Sequence, residues 1–212
     1  MHTESRGRPD TVANMDASAR AAAAATSSDW AHLAQLAARD PDTRVRTVAL
    51  ATLVRDAPRA ASAPVWKHAA RDADPSVRRR AAELAPRLGR SAPNATLLAL
   101  LADDDVWVAE AAAFAIGEHP RPTPAAVDAL ARAAAGHADA LVREAAVAAL
   151  GAIGDPSTLP VVLRACDDKP AIRRRAVLAL AAFDDPAVEA RLRHALDDRD
   201  WQVRQAAEDL LA

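Results

Sequence analysis

The chain holds few residues able to do covalent or metal chemistry, and their spacing decides against most of it. Its single cysteine, Cys166, follows Leu163, Arg164 and Ala165 at the end of a helix-forming stretch. A lone thiol in such a setting packs rather than attacks, and without a second cysteine neither an internal disulfide nor a Cys-cluster zinc site can form. The histidines, His2, His32, His68, His119, His137 and His194, show no pair at i, i+4, the spacing that turns two imidazoles toward one metal. Glu118 and His119 are adjacent, but they stand before Pro120 and read as a surface turn. No Ser/His/Asp set, Gly-rich phosphate loop or paired-carboxylate constellation is present, so no catalytic residue, metal or cofactor is expected. What stands out is charge: the triplets Arg78-Arg79-Arg80 and Arg173-Arg174-Arg175, and the run Asp103-Asp104-Asp105. Whether a triple arginine grips phosphate or serves the fold depends on the elements that carry it.

Those elements must come from a chain of 212 residues with 51 % hydrophobic residues but only 3 % aromatics and no Tyr. A core is affordable, and it must be built from Ala, Leu and Val. A net charge of −2 and a pI near 6.3 argue against a general nucleic-acid coat, which is strongly basic. Residues 17–26 lack the leucines of a secretion signal and carry Arg20, and no apolar run reaches the length of a membrane span. The composition, with two lysines against 25 arginines, suggests GC-rich coding; a cytoplasmic bacterial protein is expected.

The organisation is an internal repeat. RVRTVALATL, SVRRRAAELA, WVAEAAAFAI, LVREAAVAAL, AIRRRAVLAL and QVRQAAEDLL align on Val45, Val77, Val108, Val142, Ile172 and Val203, at spacings of 32, 31, 34, 30 and 31. Four residues after each anchor stands Ala49, Ala81, Ala112, Ala146, Ala176 or Ala207; eight after stands Leu53, Ala85, Ile116, Leu150, Leu180 or Leu211. Positions 0, 4 and 8 share a helical face, so each unit contains an amphipathic helix. A second set of helices lies between, with starts expected at Ser62/Pro64, Thr123/Pro124 and Asp185/Pro186 and stops at Gly89, Gly117, Gly136 and Gly154. No segment alternates with period two. The last anchor helix places Glu208 where inner units have Val147 and Val177, the polar outer face that a terminal unit needs. Residues 1–26 are expected to be a disordered N-terminal segment, disordered over 1–14 and with a capping helix at 16–25, and residues 27–212 the repeats; Met15 is a second candidate start.

The pattern DP-x-VR-xx-A-xx-(A/x)-L, seen in DPSVRRRAAEL, resembles HEAT repeats, and more narrowly the short HEAT-like repeats associated with bilin lyases. The resemblance implies an all-α fold, a right-handed α-solenoid of about six two-helix repeats, with the second helices lining a concave face. HEAT-like repeats also include deoxyhypusine hydroxylase, whose iron is held by His-Glu pairs. The matching positions here are Arg79-Arg80, Glu110-Ala111, Glu144-Ala145 and Arg174-Arg175, so that metal set is missing. No attachment signature of a bilin lyase accompanies the repeat. DNA-glycosylase solenoids use a concave aromatic with an Asp, as Trp107 and Asp105 could, but a basic groove is missing.

One residue after the anchor, five of six units carry arginine: Arg46, Arg78, Arg143, Arg173 and Arg204. A residue that recurs with the fold belongs to the fold, and these are expected to form a ladder with the aspartates before each anchor, Asp40, Asp74, Asp105, Asp139, Asp168 and Asp200. The next two positions face outward and read Thr47, Arg79, Glu110, Glu144, Arg174, Gln205 and Val48, Arg80, Ala111, Ala145, Arg175, Ala206. Two basic spots flank an acidic middle, which breaks the continuous positive charge that a nucleic-acid groove needs and suits protein recognition. The third unit alone lacks the ladder arginine, having Ala109, and places Trp107, Glu110 and Phe114 on one exposed face; aromatic anchors beside a charge are what interface hot spots are made of. Trp30 and Trp201 are expected to cover the terminal units and Trp66 to lie in the core. The expectation is thus a monomeric, non-enzymatic scaffold or adaptor that binds a protein partner through Arg79, Arg80, Trp107, Glu110, Phe114, Glu144, Arg174 and Arg175, without nucleic acid or membrane. An enzyme or enzyme subunit of the hydroxylase or lyase type, and a nucleic-acid-binding solenoid, are the competing readings.

Overall fold

The computed structural model describes residues 16–212, and the expected disorder over 1–14 lies outside them. Two compact units divide the chain at Ala81/Ala82, and each is described by itself. Every regular element among the described residues is helical.

The first unit contains α1 (Ala17–Thr26), α2 (Trp30–Arg39), α3 (Thr43–Asp56), α4 (Arg59–Ala69) and the start of α5 (Pro75–Leu88). Helix α2 packs on α3 and on α4, as the two helices of a unit and the first helices of neighbouring units must if each apolar stripe is to be covered. Helix α1 packs on α3, which gives it the place of a second helix. Val45, Ala49 and Leu53, the anchor stripe of α3, are fully buried. Trp66 is fully buried as well, its indole N–H donating to the Ala81 carbonyl at 2.6 Å, so its one polar atom is satisfied inside the core. One expected boundary was wrong here: α4 starts at Arg59 behind Pro58, and Ser62 and Pro64 lie inside it. Ser62 does not cap the helix; its hydroxyl donates back to the Pro58 carbonyl at 3.4 Å, and Pro64 removes one backbone donor without ending the helix.

The second unit holds the rest of α5, α6 (Asn94–Leu101), α7 (Val106–Gly117), α8 (Pro124–Gly136), α9 (Ala140–Ile153), α10 (Leu159–Ala165), α11 (Pro170–Ala179), α12 (Pro186–Ala195) and α13 (Trp201–Leu211). Within each pair the first helix packs on the second (α6 on α7, α8 on α9, α10 on α11, α12 on α13), and the second helices α7, α9, α11 and α13 lie side by side in that order. The anchors Val108, Val142, Ile172 and Val203 are all buried, whereas Glu208 is exposed at a position that is buried as Ala113, Val147 and Val177 in the units before it. Thr123 and Asp185 cap α8 and α12 as expected, each ahead of a proline. The four glycines expected as stops divide by role. Gly89 and Gly154 have φ of 55° and 66°, the left-handed conformation that ends a helix, while Gly117 and Gly136 are the last residues of α7 and α8. Gly117 serves packing instead: a Cβ there would stand 2.9 Å from the Ala149 Cα on α9, and a Cβ on Gly151 would stand 2.6 Å from the Ala179 Cβ on α11.

Wherever an aspartate caps the second helix, the turn before it is built from two acceptors with separate tasks; α11, capped at Lys169 without a side-chain bond, is the exception. In Asp40-Pro41-Asp42 and Asp198-Arg199-Asp200 the first carboxylate accepts the N–H of the second aspartate, and the second accepts an N–H from the first turn of the following helix. The ladder arginine spans one repeat to the next. Arg46 donates through Nη1 to the Asp40 and Pro41 carbonyls of its own turn and through Nε and Nη2 to both oxygens of Asp72 in the next. Arg143 does the same with His137, Ala138 and Asp168, and Arg173 with the Asp168 carbonyl and the Asp198 carboxylate. Of the six aspartates expected as partners, Asp40 and Asp168 accept an arginine in this way, while Asp74, Asp105, Asp139 and Asp200 cap helices. The acceptors Asp72 and Asp198 lie two residues earlier than the aspartates expected, because a carboxylate already turned to its helix N-terminus cannot also face the adjacent repeat. Arg20 of α1 forms the same two-pronged bond with Asp40 at 2.8 and 3.0 Å, so α1 carries a ladder arginine of its own.

Candidate functional site

The exposed row of second-helix side chains in the second unit is where the sequence placed most of its candidates. Trp107, Glu110 and Phe114 follow from one face of α7: Asp105 caps that helix through the Trp107 and Val108 N–H groups, which fixes the start of the helix and the phase of everything after it. Trp107 is 51 % and Phe114 54 % exposed, and Glu110 is half-buried. Glu144 on α9 and Arg175 on α11 meet across the neighbouring helices at 3.6 Å, and Arg174 is exposed beside them. Arg79 is exposed and Arg80 half-buried on α5, both in the first unit, so the basic, acidic, basic series is not a property of either unit by itself. Within the second unit the row runs from acidic on α7 and α9 (Glu110, Glu144) to basic on α11 (Arg174, Arg175).

Two features of this face were not singled out in the sequence. Leu178 occupies on α11 the repeat position of Phe114 on α7 and is 37 % exposed. It stands between two shallow cavities. One, of about 410 Å³, is lined by Ala148, Gly151, Arg175, Leu178 and Ala182, where the small residues of α9 and α11 leave the groove between the helices open. The other, of about 140 Å³, is lined by Arg174, Leu178, Trp201, Gln205 and Asp209 between α11 and α13. Trp201 is therefore not a cover over the core, as expected for it: at 65 % exposed it is the most open of the large apolar side chains, because it sits in the first turn of α13 on the side away from the buried anchor Val203. Trp30 is half-buried. The signal that would have found Leu178 is the alignment itself, read one helical turn beyond the two positions compared.

Elsewhere the titratable groups are committed to the fold. Cys166 is buried and donates to the Val162 carbonyl at 3.5 Å; burial pushes its thiol above the ordinary cysteine value, away from the thiolate that a nucleophile needs. His119 is not a surface turn residue. It is buried, with Nδ1 accepting the Arg121 N–H and Nε2 against the Ala92 carbonyl at 3.1 Å, so the ring ties two loops together. The ladder carboxyls of Asp168 and Asp198 are held below the ordinary aspartate range, first by the Arg143 and Arg173 guanidiniums, with burial opposing. Among the described residues no group of three or more His, Cys, Asp or Glu side chains could hold a metal ion, and no helix is long and apolar enough to cross a membrane.

Comparison with known proteins agrees with this architecture. No curated protein matches the chain. Among solved structures, the Escherichia coli protein YibA superposes with a TM-score of 0.68 at 16 % identity, over 99 % of this chain and 77 % of that one. A designed armadillo repeat protein in complex with the peptide (KR)4 superposes at 0.63 with 17 % identity, over 87 % and 98 % of the two chains. A computationally designed armadillo repeat protein for modular peptide recognition superposes at 0.62 with 17 % identity, over 85 % and 97 %. The family model for HEAT repeats matches residues 93–171 and 137–212, more than half of the chain, and the protein belongs to the HEAT-repeat family.

Proposed function

We propose that the protein is a non-enzymatic scaffold that binds an extended segment of a partner protein along the second-helix face of residues 82–212. The observation that carries this reading is the set of exposed apolar side chains Phe114, Leu178 and Trp201 on that face, with open grooves on both sides of Leu178. Large apolar side chains left in water on one face, Phe114 and Leu178 at equivalent positions two repeats apart and Trp201 in the first turn of α13, have no role in stabilising the chain alone, and such a set with charges beside it is the composition of a recognition surface. Apolar side chains of the partner would enter the grooves about Leu178. The change from Glu110 and Glu144 to Arg174 and Arg175 would set its direction, since complementary charge fixes register and rejects the reverse orientation. Solved repeat proteins of this fold that are described as peptide-binding support the reading.

The test is site-specific photo-cross-linking in the native lysate, with the cross-linker at Leu178 and, as control, at Arg132 on the exposed side of α8. A partner captured from position 178 and not from 132, and lost in the Phe114→Ser/Leu178→Ser/Trp201→Ser variant with helicity unchanged, is the expected result. Equal capture from both positions, or capture that survives the triple substitution, would refute it. A nucleic-acid ligand is separated by salt: its binding would fall steeply between low and physiological ionic strength, whereas binding through the apolar grooves would not.

A further inference from the structure

The arginines of α11 differ in what holds them. Arg173 is fixed by the Asp198 carboxylate and the Asp168 carbonyl, and Arg175 stands 3.6 Å from Glu144. Arg174, between them in sequence, is exposed and makes no hydrogen bond or ion pair among the described residues. It shares the cavity of about 140 Å³ between α11 and α13 with Leu178, Gln202 and the 65 % exposed Trp201. The one carboxylate in that cavity, Asp209, is not paired with Arg174; it accepts a hydrogen bond from Gln205 Nε2 at 2.9 Å. On the other side of Leu178, the cavity of about 410 Å³ has no large side chain in its lining besides Leu178 and Arg175, the rest being Ala or Gly. A free cation beside an aromatic ring is thus set one helix spacing away from an open apolar groove.

We propose that the partner segment on this face carries a glutamate that pairs with Arg174 against the ring of Trp201, and a leucine-sized apolar side chain three residues away that fills the groove between α9 and α11. The inference gives a chemistry to the partner of the surface proposed above and rests on that reading. Charge selects the acid, because a planar guanidinium with no partner of its own takes a carboxylate two-pronged. Glutamate suits the cavity better than aspartate, since its methylenes lie along the indole while the carboxylate reaches Arg174. The spacing follows from the helices: neighbouring axes lie about 10 Å apart, and an extended chain rising about 3.1 Å per residue brings every third side chain back to the same side. Charge also fixes the register. Moved one helix back, the carboxylate would meet Glu144, and a second acid beside the first would meet Asp209, so a single glutamate at Arg174 is favoured over an acidic run.

The test titrates the full 15N-labelled chain with the blocked peptide acetyl-Gly-Leu-Ser-Ser-Glu-Gly-amide and with its sequence reversal, which together cover both directions of the segment. Saturable amide shifts centred on residues 174–182 and 201–205 are expected from at least one of them, with a Kd on the order of 0.1–5 mM. Glutamine in place of the glutamate should weaken binding about threefold, and lysine about tenfold. Arg174→Gln, at an exposed position, should weaken the glutamate peptide by the same factor and leave the glutamine peptide unchanged, which is the coupling a direct pair must show. Arg174→Glu should make the lysine peptide the tighter ligand. Ala148→Leu narrows the groove without touching Arg174 and should weaken every peptide, while Arg132→Gln on α8 should change none. Equal binding of the glutamate and glutamine peptides, or equal loss of both in Arg174→Gln, would overturn the inference and leave the apolar surface standing. Saturable binding of neither direction would overturn it as well, and cross-linking from position 178 then decides separately whether the face takes a partner. A micromolar dimer in sedimentation velocity that Leu178→Ser abolishes would overturn it by placing a second copy on the face.

Discussion

Arg173→Met tests whether the ladder holds neighbouring repeats together or merely decorates their boundary. The Arg173 side chain is 6 % exposed and that of Asp198 15 %, with bonds of 2.8 and 2.7 Å between them and a further bond of 2.9 Å from Nη1 to the Asp168 carbonyl. Methionine keeps most of the stem volume, so the loss is polar: three hydrogen bonds from the guanidinium, two of them to a half-buried carboxylate that is left without its cation. Such a loss costs about 2–4 kcal/mol, short of a fully buried pair because Asp198 also keeps the Asp200 N–H and some water. For a cooperative unit of this size that corresponds to a fall in Tm of roughly 6–14 °C. The same substitution at Arg143, whose pair is more open at 14 % and 24 %, should cost less. At Arg204, which donates to the Asp198 carbonyl and reaches no carboxylate among the described residues, it should cost about 1 kcal/mol. Thermal and urea unfolding of the three variants, followed by circular dichroism, reads the order directly. If Arg173→Met changes stability by less than about 0.5 kcal/mol, or Arg204→Met costs as much as Arg173→Met, the rungs do not couple the repeats and the reasoning fails.

The same rungs predict an acid sensitivity with a definite sign. Because the Asp168 and Asp198 carboxyls are depressed in the folded state, their contribution is fully present above the unfolded aspartate value near pH 4 and is lost as pH falls through the lower folded values. The wild type should lose Tm steeply below about pH 4, and Asp198→Asn should be less stable at neutral pH yet flatter in that window; parallel curves for the two proteins would contradict this. Glycine substitutions separate packing from propensity. Gly151→Ala drives a methyl into Ala179 and should cost about 1–3 kcal/mol in chemical denaturation, whereas Gly136→Ala, with open space at its Cβ, should gain about 0.5–1 kcal/mol. A gain at both positions would mean that α9 and α11 are less tightly apposed than described.

Much of this was legible in the sequence, and the parts that were not share a physical reason. The anchors and the alanines four residues after them are buried in every repeat, with the stripe opening at Leu211 in the last, and a constant stripe shows in one chain because a helix repeats its own geometry. Helix α1 has the ladder arginine but no valine anchor, so Arg20 was read only as a charge that a secretion signal would not carry. The aspartate partners were misassigned because Asp40-Pro41-Asp42 and its equivalents carry two carboxylates two residues apart; which one caps and which one crosses depends on a neighbour some 25 residues away, and no local pattern records that. Trp201 was read as cover from its place in the chain, while the side of α13 it occupies follows from where the Val203 stripe turns. The grooves beside Leu178 come from what Gly151 and Ala148 lack, and missing atoms leave a weaker trace in a sequence than charges do.

Close apposition is shared by two boundaries, Gly117 against Ala149 between α7 and α9 and Gly151 against Ala179 between α9 and α11, so what sets the first apart is its missing arginine rung. Where Arg143 and Arg173 bridge to the next turn, the hinge has an ionic part; where Ala109 and His137 stand, no arginine rung crosses and the close approach of Gly117 to Ala149 remains. Molar salt or mild acid would therefore slacken the array unevenly, loosening the arginine-bridged joints first and leaving this one stiff. Mechanical compliance in the second unit is thus written residue by residue along its spine, and a partner gripping both kinds of joint would feel a surface that yields on one side and not on the other.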